Sequence, residues 1–301
     1  MARSYGYFPG CSLKGTGRAY EESLLTLFRV LDLPLAELDD WNCCGATSYM
    51  AIDETAAFGL AARNLALAQM AGQQDLLAPC SACYLVLRKT QDYVGRYPAI
   101  AREVNTALGN GNLKILNSVR VRHPLEVLYM DVGTRRLSEK MQRTWHGGPV
   151  ACYYGCQMVR PYTEVDRAFN PTRMDELLAA VKVPTVDYSL KTKCCGGSLT
   201  GTTHSVGVEL NRILLKEAVR KGAQAIVTVC PLCQYNLDAY QSEIRRITRE
   251  HIEMPILYFT QILGWALGGD IGSLGLKRAI SGRKTIGQWF TETRVEKEAY
   301  A

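Results

Sequence analysis

The chain has 301 residues, of which 47% are apolar, and a net charge of +6. That is enough for one large or two smaller cores. Lys and Arg are scattered, with no basic stripe interleaved with aromatics, so no nucleic-acid partner is expected. "MARSYGYFPGC" at the N-terminus has no apolar signal core, and "MPILYFTQILGWALGG" is broken by Gln261 and by glycines. No membrane span is expected, and the location expected is cytoplasmic.

In chain order, Tyr5 to Phe8 predicts a short strand entering Pro9-Gly10-Cys11, and Ala19 to Leu33 has helical apolar spacing. Pro34 opens an extended piece toward Cys43. "DETAAFGLAARNLALAQMAG" predicts a helix with Asp53 as N-cap and Gly72 as stop. "DLLAP" is a strand leading to Cys80, with a helix starting near Ser81. The plan then repeats. "VACYY" is a strand, "MDELLAAV" a helix, "SVGVELNRILLKEAVRKG" a long helix, "AIVTV" a strand and "LCQYNLDAYQSEIRRI" a helix. The broken apolar stretch after it reads as a strand followed by a buried or partner-facing helix. From about Gly268 the chain turns Gly-rich and then basic, as either a segment that orders on a partner or a solvated extension.

Strands alternating with helices predict an α/β fold with small, largely parallel sheets. The cysteines would then lie where strands end and helices begin, the edge where open α/β folds bind ligands and where helix N-termini favour thiolates.

The eleven cysteines carry the strongest signal. In a cytosolic chain they point to metal or redox chemistry rather than disulfides. Ten of them form a repeat. Cys11 is followed after 31 residues by Cys43-Cys44-Gly45, and Cys80-x-x-Cys83 begins 34 residues beyond the glycine. Cys156 is followed after 37 residues by Cys194-Cys195-Gly196, and Cys230-x-x-Cys233 begins 33 residues beyond. A doubled module predicts two similar tandem domains related by a pseudo-two-fold axis. The expected bounds are 1–147, 148–270 and a C-terminal extension over 271–301, a candidate for partner docking.

Cys-x-x-Cys alone suits zinc, an iron–sulfur cluster or a redox dithiol. Five cysteines per module exceed the four of a structural zinc site or an ordinary four-iron cube. Adjacent thiolates cannot comfortably chelate one tetrahedral metal, and a disulfide between neighbours would strain the intervening peptide. They can serve two metals of one larger cluster, with Gly45 and Gly196 letting the backbone turn close to it.

These residues resemble the cysteine-rich CCG domains of the heterodisulfide reductase B subunit, over nearly the whole chain. No ferredoxin-type Cys-x-x-Cys-x-x-Cys run is present, so the separate B subunit is the better likeness than longer, ferredoxin-fused relatives. The resemblance implies two non-cubane [4Fe-4S] clusters. One would be held by Cys11, Cys43, Cys44, Cys80 and Cys83, the other by Cys156, Cys194, Cys195, Cys230 and Cys233, with Cys43, Cys44, Cys194 and Cys195 at the substrate site. It also implies a cavity between the domains, a disulfide or thiol substrate split by paired one-electron transfers, a ferredoxin-like C subunit and a flavin-containing A subunit. A relay subunit whose chemistry lies on another chain and a zinc-stabilised scaffold are the alternatives, and zinc could stand in place of one cluster.

Cys152 competes with Cys156, but would lengthen its interval to 41 residues and is expected to be a buried strand thiol. Lys14, Arg18 and Arg160 are candidates for anionic substrate groups. Lys191 and Lys193 are candidates for tuning the second pair, and His204 for donating protons. His123, His146 and His251 are weaker candidates. Trp41 either screens the first site from water or belongs to the core.

Overall fold

The computed structural model describes residues 4–291. The first half runs β1 (Tyr5–Tyr7), α1 (Gly10–Lys14), α2 (Arg18–Val30), β2 (Leu35–Glu37), α3 (Ser48–Ile52), α4 (Glu54–Met70), β3 (Asp75–Leu77), α5 (Ser81–Arg96), α6 (Pro98–Gly109), β4 (Arg120–Arg122), α7 (Pro124–Val127) and, after a π-helical turn, α8 (Gly133–Glu139). The second runs β5 (Val150–Tyr153), α9 (Arg173–Ala180), α10 (His204–Arg220), β6 (Ala225–Thr228), α11 (Pro231–Ala239), α12 (Gln241–Thr248), β7 (Ile256–Tyr258), α13 (Phe259–Ala266) and α14 (Arg283–Trp289).

Each half has one wholly parallel sheet. The first is ordered β2-β1-β3-β4, the second β5-β6-β7. A parallel bridge from Val150 to Thr185 takes the place of β2 in the second sheet. The two sheets therefore repeat one topology, as the cysteine pattern predicts. Asp53 caps α4 by accepting from the Ala56 N–H, satisfying a donor the helix cannot satisfy internally.

The halves share one core. Successive strand residues point to opposite faces. Val150 and Cys152 of β5, with Tyr154 just beyond it, join the large cluster built from the first half, while Ala151 and Tyr153 face the second half's own cluster. Helix α2 packs on α13, and α8 packs on α9. Tyr20 stacks on Tyr258 with ring centroids 4.5 Å apart and planes 9° from parallel, and Ser23 and Thr260 hydroxyls lie 2.7 Å apart.

Two expectations need correction. The helix expected over 232–247 is two helices, α11 and α12, broken at Tyr240. The segment 271–291 is neither solvated nor waiting for a partner to order it. Leu274, Ile286 and Phe290 are buried, Trp289 and Phe290 pack on Trp145, and the N–H groups of Ile280 and Ser281 donate to Asp238. Residues 292–301 of that extension lie outside the described residues.

Candidate functional site

Each half brings its five expected cysteines to the C-terminal edge of its sheet. The first cysteine follows the first strand, the adjacent pair follows β2 or its bridge equivalent, and the Cys-x-x-Cys pair opens a helix. Cys80 is the N-cap residue of α5, and Cys230 that of α11. Helix N-termini carry partial positive charge, which favours thiolates there.

The sulfurs meet in matched pairs. Cys44 Sγ lies 3.2 Å from Cys83 Sγ, and Cys195 Sγ lies 3.5 Å from Cys233 Sγ. Cys11 and Cys43 sulfurs are 4.0 Å apart, and Cys194, the counterpart of Cys43, pushes the Cys156 thiol up. In each half, three cysteines are buried (Cys44, Cys80 and Cys83; Cys195, Cys230 and Cys233). The others lie further out: Cys11, Cys43 and Cys194 are exposed and Cys156 is half-buried. Each adjacent pair thus points one thiol inward and one outward, which explains why neighbours are used. Cys230 pushes the Cys80 thiol up across the interface, and Ser81, next to Cys80, lines the same cavity as the second set, so the two sets adjoin.

Two glycine pairs shape these sites. Gly10 and Gly155, with φ of +66° and +72°, sit where an added Cβ would lie 3.0 Å from Cys83 Sγ and 3.2 Å from Cys233 Sγ. Gly45 and Gly196, at φ of +77° and +89°, press the paired cysteines against Ala57 of α4 and Gly207 of α10. The CCG segments are also clamped by buried asparagines. Asn64 of α4 bonds both backbone groups of Asn42, and Asn211 of α10 donates to the Cys195 carbonyl.

A mostly apolar cavity of about 270 Å³ is lined by all five second-half cysteines, with Thr47 and Ser81 reaching in from the first half. Hydrogen bonds from Cys43 and then Cys83 hold the Cys44 thiol down to about 4. Cys156 does the same for Cys194, at about 6, with the Arg160 charge adding to it. Such groups lose protons readily to a metal.

Soft thiolate donors in this number suit iron–sulfur chemistry. Among the described residues, no three Cys, His, Asp or Glu side chains converge as a single-ion site. The thiols instead meet in separate pairs along each sheet edge, a spread that fits a group with several metals.

The remaining candidates fall elsewhere. Cys152 lies on the opposite face of β5, fully buried in the shared core, and its thiol is pushed up by burial. Lys14 is bound by Glu21 and Glu37, at 2.7 and 2.9 Å, so its charge is already committed. Arg18 and Lys193 are exposed. Arg160 donates to the Thr192 carbonyl at 2.5 Å, two residues before Cys194. Lys191 is buried against Asp175 and the Pro171 carbonyl. His204 pairs with Glu243 at 3.0 Å, and His146 and His251 are exposed. Trp41 packs edge-on against Phe8 on the core's margin. His123, a weaker candidate from the sequence, bonds the Pro79 carbonyl next to Cys80, whereas sequence reasoning missed Asn236, which reaches Cys195 Sγ. Neither carries a motif.

Twin parallel-sheet lobes, each presenting a five-cysteine set at its sheet edge, define the class as a doubled cysteine-rich module. The family model for the Cysteine-rich domain, CCG, matches residues 5–88 and 150–238. The chain belongs to this CCG family and, within it, to the proteins like the B subunit of heterodisulfide reductase. It is 30% identical to a heterodisulfide reductase B-subunit-like protein of Archaeoglobus profundus, over 88% of this chain and 91% of the relative. It is 29% identical to an 8-methylmenaquinol:fumarate reductase membrane anchor subunit of Wolinella succinogenes, over 95% of this chain and all of the relative. A solved structure of a hypothetical protein from Helicobacter pylori shares the fold, with a TM-score of 0.71 at 14% identity, covering 92% of this chain and 52% of that one. Among the described residues, no helix is long and apolar enough to cross a membrane.

Proposed function

We propose that this chain is the B-type iron–sulfur subunit of a heterodisulfide reductase-like complex that reduces or forms a disulfide. Cys11, Cys43, Cys44, Cys80 and Cys83 would hold one non-cubane [4Fe-4S] cluster, and Cys156, Cys194, Cys195, Cys230 and Cys233 the other. The observation that carries this reading is the cavity lined by all five second-half cysteines and, from the first half, by Thr47 and by Ser81 next to Cys80. When bound, the two clusters would each supply one electron, matching the two that a disulfide requires.

The protein's own residues do the rest. The inner cysteines and their glycine cradles exclude water behind the site. The outer cysteines, Cys11 and Cys43 on one side and Cys156 and Cys194 on the other, leave an open face for a disulfide or thiol. A ferredoxin-like C subunit and a flavin-containing A subunit would bring electrons, and the complex would work in the cytoplasm.

A second reading, an electron relay within a complex whose chemistry lies on another chain, draws on the relative named as a fumarate reductase subunit. A zinc scaffold is disfavoured by the spread of the thiols in separate pairs rather than about one point.

Anaerobic iron, acid-labile sulfide and zinc per chain, followed by disulfide reduction with a reduced viologen, test the reading. About eight irons per chain, as two four-iron clusters require, with turnover of a small disulfide, is the expected outcome. Iron without any disulfide turnover would favour the relay. Zinc alone in protein kept from air would exclude both.

A further inference from the structure

The two sites are built on one plan, so differences at equivalent positions are informative. Three residues after the last cysteine of each set stand Asn236 and Val86. Asn236 is fully buried. Its Nδ2 donates toward Cys195 Sγ at 3.7 Å, with the carbonyls of Cys195 and Gly197 at 3.3 and 2.9 Å. Val86 has no donor to offer.

Four residues after the first cysteine of each set stand Arg160 and Gly15. Arg160 is fixed on the Thr192 carbonyl beside Cys194. The cation beside Gly15 in sequence, Lys14, is outnumbered by the two carboxylates that bind it.

The residue after the first Cys-x-x-Cys cysteine is Ser81 in one half and Pro231 in the other. The buried Ser81 hydroxyl has no hydrogen-bond partner and lines the same cavity as Cys230 of the second set. Pro231 can return nothing to Cys80.

All three differences act in one direction. Donors to ligand sulfur and nearby positive charge stabilise the more negative, reduced state of a cluster and raise its potential. Resting on the iron–sulfur reading above, we infer that the two cluster sites are electrochemically unequal. The second, set by Asn236, Arg160 and Ser81 as positioning residues, is the more oxidising. An electron arriving at the first site would then pass downhill to the second, whose cavity Ser81 beside Cys80 lines.

The test is a potential-poised spectroscopic titration of the anaerobic protein. Loss of one signal in Cys83→Ser assigns that signal to the first half. Two midpoints are expected, with the second-half site at least tenfold more reduced at equal potential, about 59 mV for a one-electron couple. Asn236→Val, which copies the first half, and Ser81→Ala should each lower the second midpoint and leave the first in place. If Asn236→Val loses iron, Ser81→Ala carries the test, since it retains every cysteine and the Asn236 amide. Equal midpoints with both sites filled, or variants that keep iron and move neither midpoint, would overturn this inference alone. Wild-type protein without iron would overturn the parent reading and this one with it.

Discussion

A single Cβ separates a working sulfur cradle from a blocked one. At Gly155 a methyl would meet Cys233 Sγ at 3.2 Å, and the backbone there has φ of +72°. Left-handed backbone costs a non-glycine residue about 1–2 kcal/mol, and the clash adds to that. Gly197 has φ of +52° with nothing near its missing side chain, so it bears only the first penalty. Gly155→Ala should therefore lose iron from one lobe, about half the total, whereas Gly197→Ala should keep the full complement at slightly lower stability. Iron per chain and the urea midpoint measure the two separately, and equal iron in both variants would refute the cradle. The same comparison settles Cys152. Its side chain is on the far face of β5, so Cys152→Ala should retain full iron and lose about 1–2 kcal/mol of stability for a buried group removed, whereas Cys156→Ala should cut the iron.

Between β4 and α7, one histidine ties two elements to the cysteine edge. His123 Nδ1 accepts the Leu125 N–H, capping α7, so Nε2 carries the proton and donates to the Pro79 carbonyl at 2.7 Å. Burial drives its pKa from 6.5 down to about 4. The depressed value means that the unfolded chain binds the proton first as pH falls. Stability is fully present above pH 6.5 and is lost progressively down to about 4, a drop corresponding to about 3 kcal/mol. Urea midpoints across that range should fall more steeply in the wild type than in His123→Gln, which starts lower at pH 7. Parallel slopes would refute this. Element boundaries were legible in the sequence where periodicity was long or punctuation strong, as in α4 with Asp53 and Gly72. They were lost where the signal is short. The strand β4 is only Arg-Val-Arg, and the break at Tyr240 interrupts a run whose helical spacing continues through it. Asn236 was invisible for another reason: a lone polar residue in a helix has no period, and only its mismatch with Val86 across the repeat marks it.

Across the whole molecule, the repeat of ten cysteines made the doubled architecture legible, but spacing could not reveal that the two lobes share a core. Strands, helices and aromatic contacts from both halves meet in one large buried cluster, including the Tyr20–Tyr258 stack, beside a smaller cluster of the second half alone. The metal-free protein should unfold in a single transition by near- and far-ultraviolet dichroism, with coincident midpoints, and a fragment ending at Gly147 should show no cooperative transition. Two separated transitions would mean that the lobes are independent.

Such a shared interior constrains how the chain can change over generations. Substitutions can strip one lobe of its cysteines and leave it unable to hold any cofactor, yet the lobe itself cannot be deleted, because its neighbour would lose the wall it folds against. A descendant of this architecture that needs only one reactive centre would therefore be expected to keep both lobes, the silent one surviving as a buttress.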